Sequence, residues 1–424
     1  MEGVEVPPYF LCPISLEIMR DPVTLSTGIT YDRESIERWI FSDKHEICPV
    51  TKQALTDLDV TPNHTLRRLI QAWCSANASD GVERFPTPRP PVDMTQIAAL
   101  LDEAKLPQTQ MTALRRLKAI ASESDRNKRC VEASGAVDVL ASIMEKSIHG
   151  STGVLEEELI VCDGLESASA PDEALAILCS LQLSEKSLLG LIHRDVNFVE
   201  LLTKVLGRSS DRIRAYSLLL LKSLVSVIAP ARALSLKEEF FEELAKVVRD
   251  EISHQATKAA LHVLAAVSPW GNNRLKAVNA GAVRMLIEEL LDEPEKRTCE
   301  MIMVILCQLC GCAEGRAELV EHAAGIAVVS KKIHRVSRLV SRMAVKILCS
   351  VAKSSPSPAV LQEMLQLGAV SKMCLVLQMD CDAQTRERVR EILRLHSKVW
   401  RNSPCLTPPL KASYPPPLHE RIDS

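Results

Sequence analysis

A chain of 424 residues with 46% apolar content can bury the cores of two or three domains. Only 3% of it is aromatic and only 15 residues are glycine, a balance that favours helix packed on helix and argues against a β-sandwich. The net charge of −3 gives no reason to expect a nucleic-acid partner.

The N-terminus, MEGVEVPPYF, carries acids and prolines where a secretion signal would carry a basic segment and an apolar run, so no such signal is expected. From residue 5 to 79 the sequence then predicts a compact head. CPISLEIM and CPVTKQAL each place a Cys-Pro turn among apolar neighbours, with Cys12 and Cys48 at their starts. Between them, PVTL and ITYD flank Gly28 and read as a hairpin containing Val23 and Asp32. Ile36, Trp39 and Ile40 are spaced for one apolar face of a helix, and TPNHTLRRLIQAW closes the head with another.

Cys-Pro turns of this kind open zinc-binding cross-brace domains, which need eight Cys or His ligands in close pairs. The head offers only Cys12, Cys48, Cys74, His45 and His64, and no two cysteines are close enough to chelate. No metal and no cofactor are expected. Polar residues clustered in the same stretch, Glu17, Arg20, Asp21, Asp32, Arg33, Glu37 and His45, are expected to replace metal bonds by ion pairs and hydrogen bonds.

Four prolines between Pro86 and Pro91 predict an extended linker at 80–93. The body, 94–401, repeats. Four helix-turn-helix segments align at Gly135, Gly281, Gly325 and Gly368, and two weaker copies put Asn197 and Glu239 at the same point. The steps in chain order are 62, 42, 42, 44 and 43 residues. A second register, through Ala119, Ser180, Ser223, Ala266, Gln308, Ser350 and Arg394, steps by 61, 43, 43, 42, 42 and 44. A helical period near 42 is the pattern of an armadillo-type α-solenoid, and a polar insertion at about 145–166 accounts for the long first step.

The apolar windows YSLLLLKSLVSVIA and MIMVILCQLCGCA fall short of the roughly 20 residues that span a bilayer and read as buried helices, so no transmembrane segment is expected. The 14 cysteines are scattered through such helices, which fits reduced thiols and a cytoplasmic location. Cys307, Cys310 and Cys312 lack a fourth ligand and are assigned to packing. In KKIHRVSRLVSRMAVK, Arg335, Arg338, Arg342 and Lys346 would line one face of a continuous helix and attract an acidic partner. The Pro-rich tail, 402–424, is expected to be disordered.

Residues 5–79 resemble a U-box, the zinc-free relative of the RING domain. Followed by the linker and the repeats, the whole chain resembles the plant U-box/armadillo ubiquitin ligases, and TPRPP with the overall length resembles their defence and stress subclass. The resemblance implies a transferase that holds a ubiquitin-charged conjugating enzyme and recruits substrate through its repeats. It implies no covalent ubiquitin intermediate, so Cys12, like Val23, Asp32, Arg33 and Cys48, is given a structural role. Ile14, Leu16, Trp39 and Pro49 would dock the conjugating enzyme, and Lys52, after CPVT, would touch both ubiquitin and its carrier to activate the thioester. A non-catalytic armadillo scaffold with a dimerising head is the alternative, and self-association is left open.

Overall fold

The computed structural model describes residues 6–42, 45–55, 60–77, 94–149, 169–194, 196–208, 210–379, 381–412 and 414–415. The predicted linker at 80–93 lies outside them, as do 150–166 of the predicted insertion and 416–424 of the predicted tail. The chain divides into two compact units, Met1–Ile143 with Gly164–Gln182 and Met144–Asp163 with Leu183–Ser424.

The first unit begins with a three-stranded antiparallel sheet of order β2-β1-β3, built from β1 (Pro22–Thr24), β2 (Thr30–Asp32) and β3 (Thr61–Pro62). Gly28, at φ +78°, turns the β1–β2 hairpin and places Val23 opposite Tyr31. β3 has only two residues, too few to show an alternating pattern in the sequence. Helix α1 (Arg33–Glu37) widens into a π-helical turn at Arg38–Ser42. The predicted single helix therefore changes pitch before its tryptophan: Ile36 and Ile40 are buried, while Trp39 is only half-buried. Helix α2 (His64–Ala76) starts on Asn63, whose side chain accepts the Leu66 N–H at 3.0 Å. Phe10, Cys12, Met19, Val23, Tyr31, Ile36, Cys48, Ile70 and Cys74 form one core beneath these elements.

Helices α3 (Met94–Ala104), α4 (Gln110–Glu123), α5 (Asp125–Ala133), α6 (Ala136–His149) and α7 (Ala170–Ser180) follow. α6 runs through residues 145–149, where the insertion was predicted to begin. Gly135 stands between α5 and α6 at φ +80°, a conformation that a residue with a Cβ rarely takes.

In the second unit the predicted repeat is a three-helix turn. Its first four copies are α8 (Glu185–Ile192), α9 (Phe198–Leu206) and α10 (Asp211–Val227); α11 (Pro230–Leu234), α12 (Glu238–Arg249) and α13 (His254–Val267); α14 (Asn273–Asn279), α15 (Ala282–Leu291) and α16 (Lys296–Leu309); and α17 (Ala313–Glu321), α18 (Gly325–Lys332) and α19 (Arg338–Ser354). The last is α20 (Pro358–Gln366), α21 (Ala369–Gln378) and α22 (Ala383–Leu395). The third helices α10, α13, α16, α19 and α22 pack in series. Ser253, Ser337 and Asp382 cap three of them. Among the described residues no single helix is long and apolar enough to cross a membrane.

The aligned glycines prove to serve two purposes. Gly281 and Gly368 hold left-handed backbone like Gly135, whereas Gly325 has no such angle and is needed because a Cβ there would meet the Leu319 carbonyl oxygen. The second register falls on the third helices throughout this unit, on side chains that are exposed or half-buried.

Two expectations change here. The basic stripe is not continuous, because His334 adopts φ +62° and α19 starts only at Arg338, leaving Arg335 in the preceding turn. The tail is not disordered from 402. After α23 (Ser397–Trp400), Leu406 is buried, α24 (Pro408–Ala412) forms, and Tyr414 is buried with its hydroxyl donating to the Leu393 carbonyl at 2.5 Å. Its prolines hid two apolar anchors that close the end of the last repeat.

Candidate ubiquitin-carrier docking site

The two Cys-Pro turns fold alike. In the first, the Cys12 N–H donates to the Glu17 carbonyl and the Leu16 N–H to the Cys12 carbonyl, both at 2.8 Å. In the second, Cys48 donates to Gln53 at 2.8 Å and Lys52 to Cys48 at 3.0 Å. Bridges between Leu11 and Ile18 and between Ile47 and Ala54 close the two loops at their bases. Leu16 and Lys52 occupy the same position and the same left-handed backbone, at φ +60° and +58°.

Each cysteine is fully buried and acts as a hydrogen-bond acceptor. Cys12 Sγ takes the Asp32 N–H at 3.3 Å. Cys48 Sγ lies 3.4 Å from the Thr27 hydroxyl and 3.0 Å from that of Tyr31, which also accepts the Val50 N–H at 3.3 Å. Burial pushes the Cys48 thiol up, but hydrogen bonds from Thr27, Thr51 and Tyr31 together outweigh it and bring the thiol from near 9 down to about 6. Burial also raises the Tyr31 phenol, and the Cys48 contact adds to it.

Charged residues tie the first loop to the sheet and helices. Asp32 Oδ1 accepts the N–H groups of Arg20 at 2.7 Å and Asp21 at 2.9 Å. Burial raises the Asp32 carboxyl, an effect those two donors partly offset. Arg33 donates to Asp21 at 2.6 Å, and Arg67 reaches the other oxygen of Asp21 at 3.2 Å. Arg33 also pairs with Glu37 at 3.4 Å, and Glu37, buried at the end of α1, meets Arg129 of α5 at 3.3 Å. Among the described residues no three His, Cys, Asp or Glu side chains are grouped to hold a metal ion.

Trp39 stands beside the second loop. Its indole N–H donates to the Ile47 carbonyl at 2.9 Å, its ring stacks on His45 at 3.9 Å, and Lys52 Nζ lies 6.0 Å from its centroid. His45, predicted as part of the polar network, is thus a stacking partner. Leu16 is 75% exposed and Lys52 is exposed, while Ile14 and Pro49 are half-buried. Trp39, Lys52 and the loop that carries Pro49 come together directly; Ile14 and Leu16 sit on the other loop.

Two apolar residues here escaped the sequence reading, Val50 at 51% and Ile47 at 39% exposure. Overlaying the loops would have found Val50, which follows its Cys-Pro pair as Ile14 follows Cys12-Pro13.

The U-box domain family matches residues 6–79, and the plant U-box protein ARM repeat region matches 96–414. This chain belongs to the plant U-box armadillo-repeat family. Over 98% of both chains, this U-box protein is 50% identical to the E3 ubiquitin-protein ligase PUB23 of Arabidopsis thaliana. It is 49% identical to the E3 ubiquitin-protein ligase PUB22 of the same plant, over 98% of this chain and 99% of that one. A solved structure described as a phosphorylation switch between cadherin and beta-catenin shares the repeat fold at TM-score 0.57 and 16% identity, covering 78% of this chain and 58% of its own.

The U-box protein is accordingly a ubiquitin-protein ligase, a RING-like transferase that forms no covalent intermediate with ubiquitin. The buried, hydrogen-bonded cysteines suit that chemistry, because neither sulfur is presented to a thioester. The alternative of a non-catalytic scaffold is set aside.

Proposed function

We propose that a ubiquitin-charged conjugating enzyme docks across the two Cys-Pro loops, on Ile14, Leu16, Trp39 and Pro49, with Lys52 contacting carrier and ubiquitin. The observation that carries this is the pair of strained positions: a leucine and a lysine each held in left-handed backbone at an exposed loop tip. Such strain, of order 1–3 kcal/mol per residue, persists where the surroundings over-determine it and is a pointer to function. A half-buried tryptophan fixed by a hydrogen bond and stacked on His45, with exposed Ile47 and Val50 on the adjoining loop, is the kind of residue that anchors an interface hot spot. Catalysis then comes from positioning: the ligase holds the thioester beside a substrate lysine and converts a bimolecular encounter into a local one.

The same reading gives the repeats the task of recruiting substrate, places the protein in the cytoplasm, and assigns it to plant defence or stress signalling. The first is supported by the exposed and half-buried side chains along the series of third helices, the second by the scattered cysteines that fit reduced thiols, and the third by family resemblance. The decisive experiment is reconstitution with activating enzyme, conjugating enzyme, ubiquitin and ATP. Chains should form, survive a chelator, and disappear on Ile14→Ala or Trp39→Ala; failure across a panel of conjugating enzymes would sink the docking proposal. A fluorescent fusion and challenge of loss-of-function plants read location and pathway.

A further inference from the structure

Three consecutive repeats pass from their second helix to their third through a non-glycine residue in left-handed backbone: Glu251 at φ +48°, Glu293 at +54° and His334 at +62°. The turn geometry is shared, and the charge is not. The first two turns carry Asp250–Glu251 and Asp292–Glu293, whereas Lys331, Lys332, His334 and Arg335 stand where α18 gives way to α19.

Lys332 is the unusual member of that group. It is only 6% exposed, and among the described residues its ammonium has neither a carboxylate at ion-pair distance nor a hydrogen-bond acceptor. A lysine so deeply buried is rare unless it is paired. Its charge reaches Glu293 and the Cys299 thiol of α16, so it is directed toward the turn edge. Glu293 itself is taken by Lys331 at 2.7 Å, and Glu300, which also acts on Cys299, stands beyond ion-pair distance.

Two more cations crowd the same edge. Arg335 is exposed and has no carboxylate partner among the described residues; its charge reaches Glu293 on one side and Lys372 of α21 on the other. Lys372 is half-buried and donates to the Ser330 carbonyl at 2.8 Å and to the Ser330 hydroxyl at 3.3 Å. Burial pushes the Lys372 ammonium below its ordinary value, and the Arg335 charge adds to the effect. Burial lowers His334 as well, with the Lys372 charge adding to it. Cations are thus pressed together against their own repulsion around one engaged carboxylate. The 17-residue helix α19 begins directly after this turn, where Ser337 accepts the Val340 N–H at 3.3 Å, and its positive end adds to the field.

We propose that the α18–α19 turn is a phosphate-binding site, in which Lys332, Arg335 and Lys372 hold the dianion of free phosphate or of a small phosphate monoester. Three cations without a carboxylate partner match a doubly charged group, and its several oxygens can accept from all of them at once. The site lies at the edge of the solenoid, on the turn between second and third helices. It gives the repeats a ligand that is not a protein.

The test uses the full chain in chloride buffer at constant ionic strength, titrated with inorganic phosphate and separately with O-phosphoserine, and read by calorimetry. Wild type should bind at least one of them. An ester bound more tightly than phosphate assigns the site to a monoester; otherwise it is a site for free phosphate. The double variant Lys332→Met, Arg335→Gln should lose about tenfold or more in affinity. Lys186→Gln, Lys398→Gln, an equal charge change elsewhere, should lose none. Without phosphate, Lys332→Met should melt at the wild-type temperature or above it, because it keeps the packing of the stem and removes an unpaired buried charge. A lower melting temperature would assign Lys332 to the fold and overturn its place in the site. If the double variant misfolds by circular dichroism, Arg335→Gln alone replaces it, with a loss of about threefold expected. No binding of either probe by wild type, or equal loss in the control double, overturns the proposal.

Discussion

Residues 12–17 and 48–53 share a backbone down to the left-handed fifth position, yet one loop ends on a leucine and the other on a lysine. Their undersides differ as well. Cys12 is held by a backbone N–H of β2, whereas Cys48 is held by side-chain hydroxyls. The first loop is thus fastened to the sheet through Asp32, and the second to Tyr31 and the Trp39 turn. With no metal-holding cluster among the described residues, the two loops keep one geometry by different local means, and each tip carries its own chemistry.

The sharpest way to break this comparison is at the fastening of the first loop. Asp32→Ala strands the N–H groups of Arg20 and Asp21 and should cost about 2 kcal/mol in denaturant unfolding, while Asp32→Asn, which keeps Oδ1, should stay within about 1 kcal/mol of wild type. The charge itself does not help: because burial raises this carboxyl, its contribution is full below the ordinary value and is lost as pH rises through the raised one. The pH dependence assigned to this group should vanish in the Asn variant.

At the tips, Leu16→Gly relieves left-handed strain of about 1–2 kcal/mol and should leave the melting temperature unchanged or higher. Carrier binding should nevertheless fall about thirtyfold, as for a hot spot near 2 kcal/mol. A parallel fall in stability would mean that Leu16 packs rather than docks. Lys52→Gly should lower carrier affinity far less than Leu16→Gly does but slow ubiquitin discharge by up to about tenfold, and Lys52→Arg, with its planar fork, should speed it.

The smallest expected effect lies under the second loop. Tyr31→Phe removes a partner from both Cys48 and Val50 and should cost about 1 kcal/mol. The Cys48 thiol, held at about 6, should titrate higher. A thiol lowered on folding stabilises the fold fully above its ordinary value near 9 and loses that contribution as pH falls through about 6. The Tyr31→Phe variant should show less of that loss, measured by thermal melts across this range.

The features legible in sequence were those repeated or periodic: the 42-residue step, the paired Cys-Pro turns, and the apolar faces of long helices. β3 was too short to leave a pattern. Arg335 left the stripe because one left-handed residue, His334, cannot be foreseen from helical spacing. Leu406 and Tyr414 were missed because two anchors among prolines carry no period, although each is buried. Cys12 and Cys48 could be excluded as a zinc pair by counting, but their hydrogen-bond partners, 20 and 17 residues away, depend on the fold.

The Glu37–Arg129 pair bears on how this ligase is dissected at the bench. A fragment stopped at residue 79, the limit of the U-box match, retains Glu37 and discards its partner 92 residues on. The carboxylate beside the Trp39 turn is then compensated by Arg33 alone, at the longer contact of 3.4 Å. Amide exchange in α1 should be faster in that fragment than in the full chain, and carrier affinities measured on it will then understate those of the intact protein.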